Sequence, residues 1–142
     1  MEEPYFPKSL IHIDSHLEIF WEEDGKLNST KSSVVIQGNR EGFLSLANMI
    51  NVYNVYLFQE INISDFPFVS SSFKFCIFQD ESVQPSTGIV IREPIGILKW
   101  MISETNLFVV TGLLHSLGYA NNELHFDNGL KYNDISLYCI VK

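Results

Sequence analysis

From Leu10 to Trp21 the apolar side chains of Ile11, Ile13, Leu17, Ile19 and Trp21 fall on odd positions, while His12, Asp14, His16 and Glu18 hold even ones. Successive side chains of a strand point to opposite sides, so this period of two predicts a strand with one wet face. Glu22-Glu23-Asp24-Gly25 is a turn signal, and the β-branched run Ser33-Val34-Val35-Ile36 predicts the second strand of a hairpin. The period then changes: Phe43, Leu46, Ala47, Ile50 and Tyr53 or Asn54 lie three and four apart, which predicts a helix capped by Asn39 and carrying Glu41 in its first turn.

Asp65-Phe66-Pro67 interrupts regular structure in the middle of the chain. Beyond it "FKFCIF" and "GIVIRE" read as strands of a second hairpin joined by the polar loop "QDESVQPST". The stretch from Pro94 to Ile102 admits two readings, a short helix opened by the proline or a strand "ILKWMIS". Thr105 is placed to cap a second helix with Leu107, Val110, Leu114 and Leu117 on its apolar face and Gly118 at its end. The alternating "ISLYCIVK" predicts a closing strand. Together these elements predict an α+β fold, a mostly antiparallel sheet with two helices packed on one face. With no dividing linker and no solenoid-length repeat, 142 residues make one domain, and residues 1–9 read as an N-terminal extension.

Charge narrows the function. A net charge of -8 with pI near 4.8 excludes nucleic acid and anionic membrane as natural partners, because phosphate binding needs clustered Lys and Arg. The acidic start lacks the basic and apolar regions of a secretion signal, which points to the cytoplasm. The apolar run from Leu107 to Leu117 is far short of the roughly 20 residues that span a bilayer. Cys76 and Cys139 sit in strand-like apolar runs and read as small buried hydrophobes. Glu22, Glu23, Asp24, Asp80, Glu81 and Asp127 are the candidate partner-binding residues, an acidic surface that would steer a basic protein.

Two His-x-Asp pairs carry the alternative chemistry. On a strand His12, Asp14 and His16 would share a face, and His125 from "ELHFDNG" would complete the ligand set of a small metal-dependent hydrolase. Those positions are equally what a half-solvated sheet fills with polar groups, and no His-Glu-x-x-His helix or paired-cysteine motif supports a metal. Nucleophilic catalysis lacks its GxSxG turn, and neither cysteine adjoins a histidine. Gly38-Asn39-Arg40-Glu41-Gly42 sits between strand and helix like a phosphate cradle, but it lacks the Lys-Ser/Thr ending and third glycine, and Glu41 would repel the ligand. No cofactor is expected.

"VVIQGNREGFLSLANMINVYN" resembles the strand-to-helix segment of the immunity protein 32 group of bacterial polymorphic toxin systems, through Ile36, Gly38, Glu41, Gly42, Phe43, Leu46 and Ala47. Phe43 stands where that group usually has leucine. The ending "ELHFDNGLKYNDISLYCIVK" is also similar to the group's closing segment. The resemblance covers Leu17 to Asn54 and Glu123 to Lys142, which makes 58–104 an insertion relative to the family. It implies a non-enzymatic α+β protein that neutralises a cognate toxin by occlusion. Buried aromatic anchors would add affinity to such a contact, and Tyr56, Phe58, Phe66, Phe68, Trp100 and Tyr119 are the candidates. A third reading is a subunit that pairs with itself through an open strand edge and the Phe66 to Phe78 segment, giving a homodimer.

Overall fold

A computed structural model of the chain describes residues 10–23, 32–55, 60–83, 88–93, 96–119, 121–126 and 135–142. In chain order the elements are β1 (Leu17–Glu23), β2 (Ser32–Gly38), α1 (Arg40–Val55), β3 (Glu60–Asn62), β4 (Val69–Ser71), β5 (Lys74–Gln79), β6 (Ile89–Glu93), β7 (Ile97–Ile102), α2 (Glu104–Ser116), β8 (Glu123–Phe126) and β9 (Ile135–Val141). A 3-10 turn at Ile63–Asp65 precedes Phe66 and Pro67, where the sequence predicts an interruption. The α+β class holds, but the strands form two mixed sheets in place of one mostly antiparallel sheet. The first has the order β4-β1-β2-β9-β8 and the second β3-β5-β7-β6. The reason is topological. Each helix carries the chain from one sheet to the other, so the strands that meet at each sheet centre, β2 with β9 and β5 with β7, come from different hairpins and run parallel.

The chain consists of two interlocked copies of one plan. β1 pairs antiparallel with β2 as β6 does with β7, and β3 with β5 as β8 does with β9. Apart from β4, which lies between β3 and β5 in the chain and pairs parallel with β1, each half, β1-β2-α1-β3-β5 or β6-β7-α2-β8-β9, founds one sheet with its first antiparallel pair and completes the other with its second. The registers agree residue by residue: Ile19 opposite Ile36 and Trp21 opposite Val34 are matched by Val90 opposite Trp100 and Arg92 opposite Leu98. Buried helical positions correspond at one constant interval, Phe43 with Leu107, Leu46 with Val110, Ala47 with Thr111 and Ile50 with Leu114. Residues 58–104, expected as an insertion, supply the whole of the second sheet.

Two strand expectations are settled for local reasons. Pro94 lies outside the described residues, and of the two readings of the stretch the strand holds from Ile97 to Ile102, which is β7, with Leu98, Trp100 and Ile102 buried on alternate positions. "FKFCIF" and "GIVIRE" are not hairpin partners, because β7 lies between β5 and β6 and takes the antiparallel place beside β6 across the turn at Gly96, whose φ is +67°. Both sheets and both helices feed one core, in which the Phe75, Trp100 and Phe126 rings stack in sequence at 6.5 and 5.7 Å between centroids and bind the second sheet to the first. α1 and α2 pack directly on each other.

Candidate functional site

The N-terminus of α1 is where the phosphate-cradle pattern sits, and the chain itself fills it. Asn39 Oδ1 accepts the Gly42 N–H at 2.8 Å, the N-cap that the sequence predicts, and also the His16 N–H at 3.0 Å, while its Nδ2 donates to the Asp14 carbonyl at 2.5 Å. The glycines serve close approach. A Cβ on Gly38 would lie 2.0 Å from the His16 carbonyl oxygen, and one on Gly42 would lie 2.7 Å from the same atom. Further along α1, Ser45 Oγ accepts the His12 N–H at 2.8 Å and lies 2.6 Å from Ser15 Oγ, and Asn48 Nδ2 donates to the Leu10 carbonyl at 3.0 Å. The segment from Leu10 to His16 is therefore a strap across the outer side of α1.

This strap corrects the expected first strand, which begins only at Leu17. Alternation continues through Leu10–His16 in sequence, but Asp14 takes φ +66° and Ser15 Oγ binds back to the His12 carbonyl at 2.6 Å, forming a turn. His12, Asp14 and His16 are all exposed on it, with Ile13 at the tip 86% exposed. His125 is on β8, at the opposite edge of the first sheet from β1's side, with two strands between. It lies 3.2 Å from the Glu123 carboxylate and against the Tyr138 ring at 4.6 Å. The structure does not bring the four together, and among the described residues no three His, Cys, Asp or Glu converge on a point where a metal would bind.

The candidate acidic residues divide. Glu22 is exposed on the same face of β1 as Glu18, with Phe20 between them, and Glu23 closes β1. Asp24 and Asp127 lie outside the described residues. Asp80 and Glu81 follow β5 and meet the start of α2. Asp80 Oδ1 accepts from Ser82 N and Oγ at 2.9 and 2.6 Å, and those bonds hold its carboxyl below the usual carboxylate range. Glu81 Oε1 accepts the Glu104 N–H at 3.0 Å. The cap of α2 is Ser103, whose Oγ accepts the Asn106 N–H at 3.3 Å, in place of Thr105. Thr105 lies within the first turn, two residues past Ser103, whose extended backbone marks the start of the helix. The Glu81 carboxylate, bonded to the Glu104 N–H, and Glu104 in the first turn thus stand where the helix dipole is positive. At the other end α2 stops at Ser116, Leu117 is extended, and Gly118 with φ +89° makes the following turn.

α2 buries Leu107, Val110, Thr111 and Leu114 and leaves Phe108 54% and Val109 55% exposed on its other side. Gly112 lies one turn on, open to solvent, and a Cβ there would meet nothing within 4 Å. Sequence reading found the buried stripe and missed this second one. The signal was present: a surface helix with apolar residues on both sides lacks the polar face that such helices normally show.

Among the proposed aromatic anchors Phe66, Phe68 and Trp100 are buried in the core, and Tyr56 and Phe58 lie outside the described residues. Tyr119 is 76% exposed, with the Arg40 guanidinium 3.7 Å from its ring centroid and Arg40 Nε buried without a hydrogen-bond partner among the described residues. A pocket of about 150 Å³ opens between the sheets, lined by Trp21, Phe73, Arg92, Gly96 and Leu98, with Arg92 over the Trp21 ring at 5.4 Å. Both cysteines are free and buried; burial, with the Glu60 carboxylate adding to it, pushes the Cys76 thiol up to about 11, and burial alone pushes Cys139 up to about 12. Neither is a thiolate at neutral pH. No described helix is long and apolar enough to cross a membrane. Comparison with family models, with curated proteins and with solved structures returns no match.

Proposed function

We propose that this protein is a non-enzymatic inhibitor of the immunity type, which binds a basic cognate toxin in the bacterial cytoplasm and occludes its working surface. The observation that carries this reading is the one-signed charge: 17 acidic residues against nine basic ones, a net of -8. A field of that sign accelerates encounter with a cationic protein and repels nucleic acid and anionic lipid, so it selects the partner class before any contact forms. The exposed Glu18 and Glu22 on one sheet and Asp80 and Glu81 beside α2 distribute that field over two faces. The resemblance of Ile36 to Ala47 and of the closing segment to the immunity protein 32 group supports the same reading.

Coexpression with the product of the neighbouring toxin gene tests it. A complex that survives purification, forms more slowly as salt rises, and protects the cells is the expected result. No complex and no protection would sink the reading.

A further inference from the structure

The two halves of the molecule pose a question that their symmetry sharpens. On α1 the outer positions Ser45 and Asn48 bond to the Leu10–His16 strap, Leu44 stands next to them in sequence, and Ser45 is 0% exposed. At the constant interval that relates the helices, these positions correspond to Phe108, Val109 and Gly112 of α2. No described segment crosses them, and Val109 is 55% exposed. Among the described residues one helix face has a cover and its twin, which is more apolar, has none.

We propose that the outer face of α2, formed by Phe108, Val109 and Gly112 with the Glu81 and Glu104 carboxylates at its head, receives an extended apolar segment of a basic partner protein, as α1 receives Leu10–His16. This deepens the immunity-type reading and rests on it for the partner's charge. Three observations converge. Glu104, Phe108, Val109 and Gly112 share one helix face by their three- and four-residue spacing. A mid-helix glycine weakens a helix, and Gly112 has no internal neighbour that demands it, so its missing side chain leaves room for a backbone arriving from outside. The carboxylates at the head of the helix complement lysine or arginine flanking the incoming apolar residues.

The test uses the full chain and a short synthetic peptide with a leucine-isoleucine core between lysine pairs, beside the same peptide with glutamate pairs, followed by amide chemical-shift changes. The lysine peptide is expected to shift the resonances of α2 from Thr105 to Leu113 and those of Asp80 to Ser82, and the glutamate peptide to bind far more weakly. Phe108→Ser and Gly112→Leu are expected to weaken the lysine peptide by roughly tenfold, the scale of losing a central anchor, while both variants keep the native melting temperature or exceed it. Shifts that map to another face, equal binding of both peptides, or a dimer in light scattering that Phe108→Ser dissociates would overturn the proposal, the last in favour of a second copy of the chain. Against the cognate toxin the two ideas separate. Undiminished binding by both variants overturns the α2 site and leaves the immunity reading intact, whereas a peptide response on α2 with no toxin complex keeps the face and removes that reading.

Discussion

The half of the molecule built around α1 and the half built around α2 share a plan and differ in how they are finished. Around α1 the cap is a hub: Asn39 serves the helix, the His16 N–H and the Asp14 carbonyl at once, and two glycines let the strap lie against it. Around α2 the cap is split between Ser103 and Glu81, and the outer face stays open. The difference teaches that the first half spends its surface on internal closure. The second leaves Phe108 and Val109 exposed, and its carboxylates at the helix start favour the helix dipole.

Breaking the finished half should have the largest effect. Gly38→Ala drives a Cβ into the His16 carbonyl, and we expect a loss of about 3 kcal/mol or more in urea unfolding, since the obstacle is backbone and cannot rotate away. Alkaline pH comes next. Cys139 occupies in the first sheet the place of Ile77 in the second, and its thiol ionises from about 9.0 when unfolded but only near 12 when folded. The unfolded chain therefore sheds its proton first, and stability falls as pH rises from 9.0 toward 12. Near roughly pH 10.5 this loss is about 2 kcal/mol, and Cys139→Val should abolish that component of the profile. Asn39→Ala should cost about 2 kcal/mol against about 1 kcal/mol for Ser103→Ala, and equal costs would refute the idea that one cap is a hub and the other is not. The smallest effect has the opposite sign: Gly112→Ala should stabilise the fold by roughly 0.5 to 1 kcal/mol in thermal melts, because nothing inside the molecule needs that glycine.

Periodicity revealed the helices, the first hairpin and the terminal strand, because those depend on which face of an element is buried. It did not reveal the duplication. Twin positions share only the property of being apolar: Phe43 answers Leu107 and Ala47 answers Thr111, so no repeat of letters survives for sequence inspection to find. Parallel pairing of β5 with β7 was equally hidden, since a strand's neighbours are set by the path of the connections between them. Asn39 was legible as a cap, but not as the clasp of the strap. That role depends on His16 and Asp14 lying across a helix start far along the chain, and alternation of apolar and polar residues from Leu10 onward disguises the strap as strand. The acidic balance could be read at once, whereas the meeting of Glu81 with Glu104 required the fold.

Because each hairpin pair is divided between the sheets, β2 reaches its central neighbour only when β9 has been made, after every other strand. On the ribosome the earlier strands must wait with a long row of backbone amides unpaired, and the search that finally closes the first sheet spans most of the chain. Assembly is thereby delayed until translation of the strands is complete, and a nascent chain cut short before Ile135 has no way to shut that sheet.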